Sequence, residues 1–153
     1  MIRVSEIMTS GDIVTVEASA SCHDAVAQMV RNKIRHLPVI EGTGTLCGIV
    51  TDRDLRHQLF TPRVFRSVGT VPVEEMLAAT PVRDVMSSPV ISVGPETDLQ
   101  EAARIMAEEK LGSLPVVENG RIVGIVTETD LLRRIVGDNA CCADVETIVV
   151  SYP

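Results

Sequence analysis

The sequence predicts an α+β fold built from two β-α-β-β-α units that pack about a pseudo-twofold axis. The first observation is a repeat: Leu37-Pro38-Val39-Ile40-Glu41 returns as Leu114-Pro115-Val116-Val117-Glu118, and Gly48-Ile49-Val50-Thr51 returns as Gly124-Ile125-Val126-Thr127. The second is that each Gly-Ile-Val-Thr continues to an aspartate three residues beyond the threonine, Asp54 or Asp130. The third is a helical period of apolar residues ahead of each Leu-Pro-Val block. A supersecondary unit that cannot cover its own apolar face packs against its copy, and the clefts between such copies are where ligands usually bind.

The elements follow in order. Residues 4–9 and 82–87 end in Met8-Thr9 and Met86-Ser87 and read as an entry turn or linker. Residues 13–16 and 90–93 are rich in β-branched side chains, which suit a pleated, half-buried surface. Residues 24–30 and 99–109 carry the helical period, with Ser21 as N-cap of the first and Thr97 or Asp98 as N-cap of the second. Met29 and Met106 fall on the core face. Two strands and a hairpin come next, turning at Gly42-Thr43-Gly44 and at Asn119-Gly120, the latter suited to a type I′ turn. Pro38 and Pro115 lack a ladder donor, so each is expected to open its strand or lie on an edge. A helix then begins at each Thr-x-x-Asp and runs to Leu59 or Val136.

This divides the chain into a first repeat (1–60), a connector (61–81), a second repeat (82–137) and a tail (138–153). The connector contains Pro62, Gly69, Pro72 and Pro81, with a short helix expected over 73–79, and the tail holds an extended stretch at 146–151.

Composition narrows the function. At 153 residues, the chain is long enough to bury roughly 70% of its unfolded surface without disulfides. Its 45% hydrophobic and 23% charged content is that of an ordinary globular protein, with no apolar run able to span a bilayer and no secretory signal pattern, so cytoplasmic residence is expected. A net charge of −7 and 2% aromatic content argue against nucleic acid, which is held by clustered cations and by stacking. Cys22, Cys47, Cys141 and Cys142 have no metal-ligand spacing and read as reduced thiols. His23 and His57 have no partner at metal or catalytic spacing and read as surface residues.

The chemistry concentrates at Thr51-Asp52-Arg53-Asp54 and Thr127-Glu128-Thr129-Asp130. In each, a strand runs into a helix N-terminus, where free N–H groups and the helix dipole favour an anion such as a phosphate. The carboxylate could accept both hydroxyls of a ribose. The same spacing is also a capping box, in which threonine and acid satisfy each other's backbone donors. Both readings stand on the residues alone.

Taken together, Met-(Thr/Ser), strand, helix, Leu-Pro-Val and Gly-Ile-Val-Thr-x-x-Asp in tandem resemble a pair of cystathionine β-synthase (CBS) domains, the Bateman module, over about residues 1 to 137. The resemblance implies a regulatory module that binds ATP, ADP or AMP, with S-adenosylmethionine the less expected ligand. It also implies a homodimer acting on a protein effector, with no required cofactor and no metal. By position it implies two crossed sites. Site one takes Val14, Ile34, Arg35 and His36 with Thr127, Thr129 and Asp130. Site two takes Thr51, Arg53 and Asp54 with Ile91, Leu111, Gly112 and Ser113.

Arg35-His36 in the first repeat is replaced by Gly112-Ser113 in the second. That mismatch predicts that site one prefers a di- or triphosphate and that site two takes mainly AMP or stays empty, with Arg53 in partial compensation. The alternatives for the pair are a solvated Arg35 and a packing His36. No phosphate loop with lysine, nucleophile–histidine–acid set or metal cluster marks the chain as an enzyme. A third class is a nucleotide-independent interaction or redox module, using Ile148-Val149-Val150 and Cys141-Cys142.

Overall fold

In the computed structural model the described residues are 1–59 and 73–137. The expected elements at Cys141-Cys142 and 146–151, and most of the connector, lie outside them.

Two three-stranded sheets form, one per core. The first contains β2 (Val16–Glu17), β3 (His36–Glu41) and β4 (Thr45–Thr51) in that order. The second contains β1 (Thr9–Ser10), β6 (Arg121–Thr127) and β5 (Ser113–Glu118). The helices are α1 (Cys22–Asn32), α2 (Asp52–Leu59), α3 (Val73–Ala79), α4 (Leu99–Glu109) and α5 (Glu128–Val136). The β3–β4 hairpin pairs His36 with Thr51 and shifts register between Val39 and Ile40; the β5–β6 hairpin pairs Ser113 with Thr127 and shifts between Val116 and Val117. The repeat in sequence is therefore a repeat in register as well. At the second turn Asn119 and Gly120 have φ of 50° and 77°, as a type I′ turn requires.

The leading segments are exchanged between the two cores. Val4, fully buried, packs with Val93, Ala102, Met106, Leu114, Val116 and Val126 in the second core, whereas Val82, also fully buried, packs in the first with residues such as Met29 and Leu37. β1 from the first segment pairs with β6, and Ser87 of the second bridges Ile49 of β4 in the same sense. This exchange explains two glycines. A Cβ at Gly124 would stand 2.5 Å from Met8 Sδ and 2.9 Å from Thr9 O, and a Cβ at Gly48 would collide with Met86 Sδ.

Ser21 caps α1 through a capping box with Asp24, and Asp98 rather than Thr97 caps α4, its Oδ1 accepting from Gln100 N–H at 2.8 Å. Two strand expectations need correction. The stretch 13–16 pairs only at Val16–Glu17, because Ile13 N–H turns back to Gly11 O at 2.9 Å and leaves the ladder. The stretch 90–93 contributes a single parallel bridge, Val93 to Val116. Pro38 also sits inside the middle strand of its sheet rather than at an edge or strand start. It is tolerated because β2 pairs with β3 only from Val39 onward, so no ladder donor is needed at Pro38 on that side.

Candidate functional site

Each strand that ends in Gly-Ile-Val-Thr delivers its threonine to a helix N-terminus. At the first corner Asp54 Oδ2 accepts from Thr51 N–H and from Thr51 Oγ1–H, both at 2.8 Å, while Asp54 N–H donates to Thr51 Oγ1 at 3.1 Å. At the second, Asp130 Oδ2 accepts from Thr127 N–H at 2.9 Å and from Thr127 Oγ1–H at 2.7 Å, and Asp130 N–H donates to Thr127 Oγ1 at 3.3 Å. Both Thr-x-x-Asp motifs are thus capping boxes. Both bonds that each carboxylate accepts use Oδ2; Oδ1 of each aspartate accepts no hydrogen bond among the described residues. Capping fixes the carboxylate and leaves one oxygen for a ligand, so the two readings of the motif are compatible.

The first free donor of each helix is already used. Asp52 N–H donates to Arg35 O at 3.1 Å and Glu128 N–H to Gly112 O at 3.0 Å. Arg35 and Gly112 therefore sit against the helix start of their own repeat.

His36 and Ser113 occupy equivalent places, the first residues of β3 and β5, and they meet: His36 Nδ1 lies 3.0 Å from Ser113 Oγ. Equivalent residues can touch only at the axis that relates them. Ser113 is 5% exposed. A Cβ at Gly112 would come within 2.9 Å of His36 Cε1, so the larger Arg35-His36 pair of one repeat is accommodated by the smaller Gly112-Ser113 pair of the other. Burial holds the His36 pKa below its ordinary value, the neighbouring Arg35 charge pushes the same way, and Asp52, Glu128 and Asp54 oppose it. The shift favours the neutral imidazole near pH 7.

The other expected site residues differ in burial. Val14 and Ile34 pack against the first core and Leu111 against the second, each half-buried. Arg35, Arg53, Thr129 and Ile91 are exposed. The cavity that adjoins Asp130, about 380 Å³, is lined by Glu6, Ile7, Arg133 and Arg134 as well. These four were not singled out in the sequence. Arg133 and Arg134 were findable, since they lie one helical turn beyond Asp130. Glu6 and Ile7 were not, because only the segment exchange brings them there.

Cys22 is buried, and burial followed by the Asp84 charge pushes its thiol up to about 11, which makes it inert. Among the described residues no group of His, Cys, Asp and Glu could hold a metal ion, and no helix is long and apolar enough to cross a membrane.

Comparison with known proteins gives the following. A family model for the CBS domain matches residues 4–61 and 82–137. An uncharacterized protein of Methanocaldococcus jannaschii is 32% identical over 134 residues, which are 87% of this chain but 32% of that protein. The chain thus spans about a third of that relative. A CBS domain-containing protein of Dictyostelium discoideum is 32% identical over 136 residues, 88% of this chain and 92% of its own length. The crystal structure of CBSX2 in complex with AMP superposes with a TM-score of 0.68 at 30% identity, covering 89% of this chain and 97% of that one.

Proposed function

Because the chain belongs to the CBS domain family through both of its repeats, we propose that it is a non-catalytic regulatory module that takes an adenine nucleotide at the Asp130 corner and at the Asp54 corner. The observation that carries this reading is the pair of anchored carboxylates. Each aspartate is oriented by three bonds to its threonine, and each keeps Oδ1 to accept from ribose hydroxyls. A structural neighbour bound to AMP at 30% identity supports the ligand class.

In this reading Val14 and Ile34 on one side, and Ile91 and Leu111 on the other, flank adenine rings, since the chain has few aromatics to stack on them. Thr51 and Thr127 hold the aspartates, and Thr129, Arg53 and Arg35 stand at the exposed rims. The His36–Ser113 bond joins the two halves between the sites. Binding at either corner would be passed to a protein effector or through a homodimer. The exposed Leu132, Ile135 and Val136 on α5 favour a second copy of the chain as a partner.

The test is a thermal-shift panel of ATP, ADP, AMP, NADH and S-adenosylmethionine on the native chain, Asp54→Ala and Asp130→Ala. A ligand at 100 times its Kd adds about 2.7 kcal/mol. A shift with an adenine nucleotide, lost stepwise in the two variants, is expected. A shift that survives both substitutions unchanged would place the ligand elsewhere, and no shift with any compound would favour an interaction module that needs no nucleotide.

A further inference from the structure

The Asp130 corner and the Asp54 corner share their acidic anchors but not the residues one turn further along the helix. Thr127 and Asp130 align with Thr51 and Asp54 at the start of α5 and α2, so Arg133 and Arg134 correspond to His57 and Gln58. The leading turns align on Val4 and Val82, so Glu6 corresponds to Asp84 and Ile7 to Val85. Among the residues that line the Asp130 cavity, acid corresponds to acid and aliphatic to aliphatic in the other repeat, and the charge differs only at the two helix positions one turn beyond the aspartate.

Both arginines line the Asp130 cavity, whose volume of about 380 Å³ is within the range of ligand pockets, about 300–1,000 Å³. Neither has an ion-pair partner among the described residues. Of the two carboxylates on the wall, Asp130 is held by Thr127 and Glu6 by its own turn, with Oε1 accepting from Arg3 N–H at 2.7 Å. Two unpaired guanidinium groups close to a ribose-type anchor match a chain of phosphates, because the planar fork binds phosphate oxygens in pairs.

We propose that Arg133 and Arg134 set the phosphate-chain length accepted at the Asp130 corner, so that this corner selects ADP or ATP over AMP, while the Asp54 corner, with His57 and Gln58, does not discriminate by phosphate number. This rests on the nucleotide-binding reading above and adds the residues that select among nucleotides. It adds a second source of asymmetry to the mismatch of Arg35-His36 with Gly112-Ser113.

The experiment is calorimetric titration of the full chain with adenosine, AMP, ADP and ATP at low and moderate salt. The variants are Arg133→Gln with Arg134→Gln, Arg133→Lys with Arg134→Lys, and Asp54→Ala to silence the other corner. In the Asp54→Ala background, the glutamine pair is expected to weaken ADP about tenfold or more. Adenosine should stay unchanged and the lysine pair should recover part of the loss. The ADP preference should also shrink as salt rises. If AMP and ADP bind the native chain but their affinity ratio is the same in the glutamine pair, the selectivity assignment is overturned and the nucleotide reading survives. If no adenine compound binds the native chain, both are overturned.

Discussion

His36 and Ser113 hydrogen-bond each other across the pseudo-twofold axis, Nδ1 to Oγ at 3.0 Å, although the two residues are equivalent positions of the repeat. The neighbouring position is also tight, because a Cβ at Gly112 would stand 2.9 Å from His36 Cε1. The sequence difference between the copies is therefore steric complementarity at the axis first, and a difference between binding sites only through the residues around it.

The burial of His36 makes stability depend on pH. The folded His36 pKa lies below its ordinary value of 6.5, mainly through burial. Below pH 6.5 the unfolded chain then binds more protons than the folded chain, so stability is complete above 6.5 and is lost as pH falls through the folded pKa. Urea titrations from pH 8 to pH 5 should show this decline in the native chain. In His36→Gln the decline should be shallower; a profile identical to that of the native chain would remove His36 as its source.

Ser113→Ala removes a partner from a half-buried imidazole and is expected to cost about 1–2 kcal/mol. Equilibrium unfolding at pH 7.5 measures it. A loss below a few tenths of a kcal/mol would mean that water replaces the hydroxyl without penalty.

The segment exchange predicts an order of severity for two alanine substitutions. Gly124→Ala drives a Cβ against both Met8 Sδ and the Thr9 carbonyl, whereas Gly48→Ala meets only the flexible Met86 side chain. Overpacking of this kind costs about 1–3 kcal/mol. Gly124→Ala should lie toward the upper end and Gly48→Ala toward the lower. Thermal melting of the two variants gives the order, and the reverse order would count against the backbone contact as the cause.

Much of this was legible because it is local. The capping residue Ser21, the Asn119-Gly120 turn and the helical faces that bury Met29 and Met106 are set by neighbours a few positions away, and the structure has them where the pattern puts them. The exchange of Val4 and Val82 between cores is not local: both segments read alike, so nothing in their composition says which core each one enters. The same exchange hid Glu6 and Ile7 from the site. The bond between His36 and Ser113 is likewise non-local, since it joins equivalent positions of the two repeats.

Capping and ligand binding by Asp130 can be separated. Asp130→Ala removes the acceptor of Thr127 N–H and Oγ1–H, so it should lower stability by about 1 kcal/mol even without ligand. Asp130→Asn retains a carbonyl oxygen that can accept from Thr127, and it should recover most of that loss. If Oδ1 holds a ribose, the asparagine variant should still bind nucleotide far more weakly than the native chain, because a neutral amide accepts less strongly than a carboxylate. Full binding by Asp130→Asn would reduce Asp130 to a cap.

The surface of α5 bears on assembly. Leu132, Ile135 and Val136 are 61%, 81% and 63% exposed, and beside them Ile2, Leu99, Ala103, Leu131 and Ile135 line a largely apolar cavity of about 600 Å³ between α4, α5 and the chain start. Continuous apolar surface of this kind is usually covered by a partner. If the partner is a second copy, sedimentation should find a dimer, and Leu132→Glu with Ile135→Glu should find a monomer. The double variant makes these exposed positions polar without touching Asp130, so it should retain nucleotide affinity if the corners are complete within one chain. Loss of both the dimer and the nucleotide would mean that the second copy completes the site.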